Sequence, residues 1–213
     1  MRERGEGTVA RRGNRLSVPL IANLTTALET RDPHLRGHCG RVTAFAEAIA
    51  VRLGWRARRL DGLRLGGALH DVGKLAVAES VLRKPGRLSA AELAHMQTHP
   101  AAGARLLGTI EELQPALPYV LFHHERWDGG GYPHGLAGEA IPVEGRLLAV
   151  ADAFDAMTSA RPYRPPLSVH AALVELGRCA GSQFDPLVAR IFVAAWQAGE
   201  LVVSEPLPVA AAF

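Results

Sequence analysis

Apolar positions recur at helical spacing through most of this chain. Val42, Phe45, Ile49 and Leu53 fall at i, i+3, i+7 and i+11, which predicts one buried face of a helix that stops at Gly54. A stretch from about Arg56 places Leu60, Leu63 and Leu69 on a similar face and leads into HDVGK at 70–74. Ser89 and Glu92 have the S-x-x-E spacing of a capping box, so a short helix opens there and closes before His99-Pro100. ALPYVLFHHE predicts a further helix up to the Gly-rich break WDGGGYP at 127–133, a loop that extends to about Glu139. Pro142 starts a helix that carries Leu147, Leu148, Val150 and Ala151 and reaches about Ser159. Ser168 and Asp185-Pro186 are N-cap signals for two final helices. No strand-like alternation survives over six residues, and there is no internal repeat. The pattern predicts an all-α single domain.

Composition narrows this without changing it. At roughly 100–200 residues per domain, 213 residues make one domain with tails. With 48% hydrophobic and 21% charged residues, global disorder is excluded. Aromatics make up only 6% while Ala and Leu are frequent, which favours helices over a strand sandwich. No apolar run approaches the ~18 residues that span a bilayer, and the N-terminus lacks a signal-peptide apolar segment. The expectation is a cytoplasmic protein with no membrane span. The net charge of +3 is local: Arg2, Arg4, Arg11, Arg12 and Arg15 outnumber Glu3 and Glu6, and the remaining 198 residues hold 19 basic and 19 acidic side chains. A neutral body argues against a DNA or RNA duplex as partner. Residues 1–15 read as a disordered basic tail, 16–198 as the domain, and 199–213 as an apolar tail that packs on the domain or a partner. Cys39 and Cys179 form neither a disulfide framework nor a C-x-x-C pair, so thiolate ligation is not expected.

The candidate chemistry lies in the histidines. His70-Asp71 and His123-His124 are adjacent pairs, and His38, His99 and Asp152 each fall at or near a predicted helix end. Adjacent helical residues point about 100° apart, so one pair does not easily chelate a single ion. It can serve two neighbouring ions, with Asp71 bridging them. Two six-coordinate ions, these seven residues and a bridging hydroxide leave room for phosphate oxygens, and the N/O ligand set suits iron or manganese better than tetrahedral zinc. Plainer roles also exist. His70-Asp71 can close a helix C-terminus, and His123-His124 can be an exposed helix end. Asp152 can accept a salt bridge, His99 can be a turn residue and His38 a core histidine. Asp32 before Pro33 can cap the next helix, Tyr132 can plug the core and pin its loop, and Arg161 and Arg164 can complement a helix dipole.

HDVGK at 70–74, HHERWDGGGYP at 123–133 and ADAFDAMTSARPYR at 151–164 together resemble the HD-GYP family. This is a branch of the HD-domain metal-dependent phosphohydrolases that acts on the bacterial second messenger cyclic di-GMP. RGHCGRV at 36–42, HPAAGARLL at 99–107 and GSQFDP at 181–186 resemble its first, middle and closing segments, in the family's order, over roughly residues 21–198. The resemblance implies an HD-domain helical bundle with a Gly-rich GYP loop. It implies metal ligation by His38, His70, Asp71, His99, His123, His124 and Asp152. Lys74 matches a lysine beside the reacting phosphate, and Asp32 an acidic position near the reacting centre. Tyr132 and Pro133 match the pocket-shaping loop residues, and Arg161 and Arg164 match contacts to phosphate or guanine. His34 stands where three-metal members resemble one another in having Glu, so two tightly held ions are expected and a third is not. A helix beginning at Pro33 would put His34 and His38 at i, i+4 on one face.

The implied reaction opens cyclic di-GMP to linear pGpG, and a second cut gives GMP. Another cyclic dinucleotide or nucleotide is an alternative substrate, and a non-catalytic dinucleotide-sensing or partner-docking module is the alternative class. The intact ligand set favours turnover. No receiver or sensor segment precedes residue 21, so a stand-alone output domain is expected, regulated as a homodimer or through a separate signalling protein.

Overall fold

The computed structural model describes residues 14–160 and 165–201, except for the side chains of residues 14–18 and His34. Its helices are α1 (Asn14–Arg31), α2 (His38–Arg52), α3 (Arg58–Leu69), α4 (Glu79–Leu82), α5 (Ala90–Met96), α6 (His99–Leu107), α7 (Leu117–Phe122), α8 (Val143–Thr158), α9 (Val169–Arg178) and α10 (Pro186–Gln197). Among the described residues there is no strand, only the isolated bridges Asp128–Ala137 and Ala180–Phe184, and the all-α reading holds. No helix there is long and apolar enough to cross a membrane.

Local signals work as the sequence indicates. The Ser89–Glu92 capping box makes both of its hydrogen bonds, Ser89 Oγ caps the Glu92 amide, and Asp185 accepts from the Leu187 and Val188 amides. Gly54, at φ 79°, follows the end of α2. Helices α4 and α6 were not expected, α7 stops at Phe122 instead of reaching the Gly-rich break, and two further features differ. Helix α1 was not expected; it buries Ile21, Thr25 and Leu28 on one face, with Leu24 partly buried beside them. The helix expected from Pro33 does not form. Pro33–Leu35 is one 3-10 turn, Gly37 adopts φ 66°, and α2 starts only at His38. The left-handed Gly37 interrupts the helical path, so His34 and His38 do not share an α-helical face.

Aromatic packing fixes the helices that carry the site. Phe45 of α2 meets Phe154 of α8 edge-on at 5.3 Å and Phe192 of α10 at 6.0 Å, and Phe154 lies 4.7 Å from Phe192. Phe45 lies two turns from His38 on α2, and Phe154 is next to Asp155 on α8. A smaller cluster joins α1 and α3 to Val72 and Val120. The 3-10 turn Val72–Ala76, which follows Asp71, lies on α6 so closely that a Cβ on Gly73 would overlap the His99 carbonyl. Gly73→Ala should therefore cost about 1–3 kcal/mol through overpacking. Thermal unfolding of the metal-free chain is expected several degrees lower, and an unchanged midpoint would contradict this packing.

Candidate metal centre

Each central side chain except Asp152 leaves a helix end or the turn beside it. His38 opens α2, His70 caps α3 and is followed by Asp71, and His99 opens α6. His123 caps α7, with His124 next in the chain, and Asp152 lies in the C-terminal half of α8. These ends converge, and the structure brings all seven residues together. His38 Nε2 lies 3.3 Å from His70 Nε2, and His99 Nε2 lies 3.4 Å from His123 Nε2. Asp71 sits between the two pairs. Its Oδ2 is 3.9 and 3.5 Å from the Nε2 atoms of His38 and His70, and its Oδ1 is 3.4 and 3.9 Å from those of His99 and His123. Asp152 Oδ1 is 3.3 Å from His38 Nε2, and His124 joins Asp71, His99 and His123 in one ligand-sized group.

The outer ring nitrogens decide what the inner ones can do. Nδ1 of His70, His99 and His123 donates to the carbonyls of Gly67, Met96 and Val120 at 2.9, 2.9 and 3.0 Å. His38 Nδ1 donates to Asp155 Oδ2 at 2.7 Å. A carbonyl only accepts, so these protons sit on Nδ1, and in a neutral imidazole Nε2 then carries a lone pair. Lone pairs facing each other at 3.3–3.4 Å have no proton between them. A cation is the group that satisfies them, and the all-N/O donor set fits a divalent metal.

Charge favours the same occupant. Burial works against the Asp71 carboxylate, but Lys74, whose Nζ donates to Oδ2 at 2.6 Å, holds it well below the usual range. Burial likewise opposes the Lys74 cation, yet Asp71, then Asp152 and Asp32, keep it above the ordinary lysine value. Burial pushes His123 well below 6.5, with His124 adding to the shift, lowers His99, and pushes His124 down to about 3.

Two cavities flank the centre and share His124 and Tyr132 in their walls. One, of about 360 Å³, runs from Asp152 to Arg126, Glu175 and Gln183. The other, of about 340 Å³, is lined by Asp32, His38, Lys74, Lys84 and Ser159. Tyr132 stacks on His124 with ring centroids 4.8 Å apart, so it faces the centre as well as pinning its loop. Pro133 is half-buried in that loop and lines neither cavity. Asp32 is buried where α1 ends, its amide donating to the Leu28 carbonyl. Arg161, Arg164 and the His34 side chain lie outside the described residues.

Sequence reasoning missed two buried carboxylates. Glu125 accepts from the His134 and Leu136 amides at 2.7 and 3.0 Å, which folds the Gly-rich loop back on the centre. Asp155 orients His38. The i, i+3 spacing from Asp152 was the available signal for Asp155, whereas nothing local marks Glu125.

A profile of the HD domain family matches residues 23–188. The chain is 42% identical over 168 residues to the cyclic di-GMP phosphodiesterase response regulator RpfG of Xanthomonas campestris, covering 78% of this chain and 44% of that protein. It is 37% identical over 182 residues to 3′3′-cGAMP-specific phosphodiesterase 2 of Vibrio cholerae, covering 84% and 35%. The chain thus spans less than half the length of these relatives. The fold is also that of a V. cholerae cyclic GMP-AMP phosphodiesterase, V-cGAP3, with TM-score 0.66 and 21% identity over 86% of this chain and 49% of that one. The HD domain of PgpH from Listeria monocytogenes, solved with cyclic-di-AMP, matches at TM-score 0.55 and 17% identity over 82% and 96%. The chain belongs to the HD-domain family.

Acid should weaken the fold. The unfolded chain protonates these imidazoles near their ordinary value of 6.5, while the folded chain resists to lower pH. Protons therefore favour the unfolded state, and stability falls as pH drops below about 6.5. Thermal midpoints of the metal-free chain at pH 7.5 and 5.5 check this, and equal midpoints would contradict it.

Proposed function

We propose that this chain is a two-metal phosphodiesterase that hydrolyses cyclic di-GMP. The observation that carries the reading is the Asp71 carboxylate, with one oxygen toward each imidazole pair and Lys74 hydrogen-bonded to it. His38, His70, Asp71 and Asp152 would hold one ion, and Asp71, His99, His123 and His124 the other, most simply iron or manganese. Two such ions supply Lewis acidity toward a phosphoryl oxygen and make water nucleophilic near neutral pH.

The chain's own groups do the rest. Lys74 remains a cation beside the centre and offsets charge that builds on the phosphoryl oxygens. Attack by water forms a P–O bond and breaks the bond to the 3′-oxygen, leaving a 5′-phosphate on linear pGpG. Asp32 and Lys74 line one cavity beside the centre, where Asp32 can relay the proton released by the attacking water to the departing 3′-oxygen while Lys74 keeps its charge. The cavities on either side of the centre suit the two nucleoside arms of a cyclic dinucleotide. Tyr132 stands in both walls, and Pro133 holds its loop. The resemblance supports Arg161 and Arg164 as phosphate or guanine contacts. A second reading, hydrolysis of 3′3′-cGAMP, is favoured by the similarity to the V. cholerae enzyme of that specificity.

Turnover of cyclic di-GMP and 3′3′-cGAMP with added Mn²⁺ or Fe²⁺, read by product chromatography, tests and separates these readings. Bound metal without hydrolysis of either would instead support a sensing module. Asp71→Ala is expected to abolish hydrolysis and strip much of the metal. Lys74→Ala should retain metal and lose roughly a hundredfold or more in turnover, the scale of one charge-stabilising group. Near-normal turnover in Asp71→Ala would sink the two-metal reading.

A further inference from the structure

Four of the five central imidazoles have a described Nδ1 hydrogen bond, and these four are not held alike. Three rest on main-chain carbonyls of their own helical turns, whereas His38 alone rests on a side-chain carboxylate. That carboxylate, Asp155, is 2% exposed and is itself pinned. Arg41 Nε donates to Oδ1 at 2.6 Å and Arg41 Nη2 to Oδ2 at 3.0 Å, a fork that fixes the carboxylate plane. Ser159 Oγ donates to Oδ2 at 3.3 Å and accepts from Arg41 Nη2 at 3.1 Å. His38 and Arg41 are one turn apart on α2. Asp152, Asp155 and Ser159 follow one another along the C-terminal part of α8 and the residue that ends it. The lattice thus joins the two helices that bring His38 Nε2 within 3.3 Å of Asp152.

We propose that Asp155, locked by Arg41, is the positioning residue for one half of the centre, so that its loss weakens one ion site and leaves the other filled. The inference rests on the two-metal reading. Asp155 touches no other central imidazole through the hydrogen bonds described, while His99 and His123 keep their carbonyl acceptors whatever happens to it. A carboxylate behind a ligating histidine fixes its tautomer and raises its basicity, and losing such a partner typically costs about 10–100-fold in metal affinity.

Asparagine cannot substitute. The carboxylate accepts from Arg41 at both oxygens, and Oδ2 accepts from His38 and Ser159 as well, so an amide sets its NH₂ against at least one of these donors and breaks the fork. It also removes the negative charge behind His38 Nδ1, so the ring is held less firmly and Nε2 is a weaker ligand to a metal ion.

The test is titration of the metal-free full chain with Mn²⁺, counting free ion by EPR and reading the bound signal. Wild type is expected to bind two ions with the spectrum of a coupled pair. Asp155→Asn should keep one tight site with an uncoupled six-line spectrum, and its second site should weaken at least tenfold. Two sites of unchanged affinity in Asp155→Asn, or parallel weakening of both, would overturn the proposal. Wild type binding fewer than two ions would instead count against the two-metal reading. If Asp155→Asn does not fold, Arg41→Lys keeps the charge and loses the fork. It should weaken the same single site, and unchanged or equally weakened sites there would overturn the proposal as well.

Discussion

A buried carboxylate lies between two imidazole pairs, and most of the structure is arranged around that placement. Asp71 is almost wholly removed from water, as are His70, His99 and His123. Burying these groups together is costly when their lone pairs face one another, and a lysine hydrogen-bonded to one oxygen compensates only part of it. Divalent cations would satisfy both carboxylate oxygens and the inward-facing nitrogens at once. The same arrangement resists protonation, so it holds its ligands ready at neutral pH. Charge, tautomer and geometry therefore favour the same occupant.

The hydrophobic core sets the precision of that placement. The contacts among Phe45, Phe154 and Phe192 fix α2 against α8, and His38 comes to lie beside Asp152 and Asp155. Gly73 lets the turn after Asp71 lie against the start of α6, which brings His99 to the other carboxylate oxygen. Glu125 draws the Gly-rich loop inward, and Tyr132 is thereby stacked on His124. Rigid helix packing supplies the ligands, and a carboxylate-anchored loop supplies a wall of the substrate space.

Much of this was legible in the sequence, for identifiable reasons. Helices α2, α3 and α8 show in their apolar spacing, and the caps at Ser89, Ser168 and Asp185 show in local residue type. The His-Asp and His-His pairs identified four of the residues that converge, and the motif resemblance added His38, His99 and Asp152. Which histidine faces which could not be read, since it depends on packing between residues such as His38 and Asp155, 117 positions apart. Glu125 drew no reading, because its partners are backbone amides that leave no mark on residue type. The start of α2 was misplaced because Pro33 is a strong helix-start signal, and only the left-handed Gly37 reveals that the chain turns again before the helix begins.

The central claim is that one carboxylate bridges two ions. Anomalous diffraction from crystals of the full chain grown with Mn²⁺ tests it most directly. The account predicts two peaks per chain about 3.5–4 Å apart, the usual spacing of two-metal sites. One peak should contact Asp71 Oδ2 with His38 and His70, and the other Asp71 Oδ1 with His99 and His123. A single peak, or two peaks of which one does not touch Asp71, would contradict it.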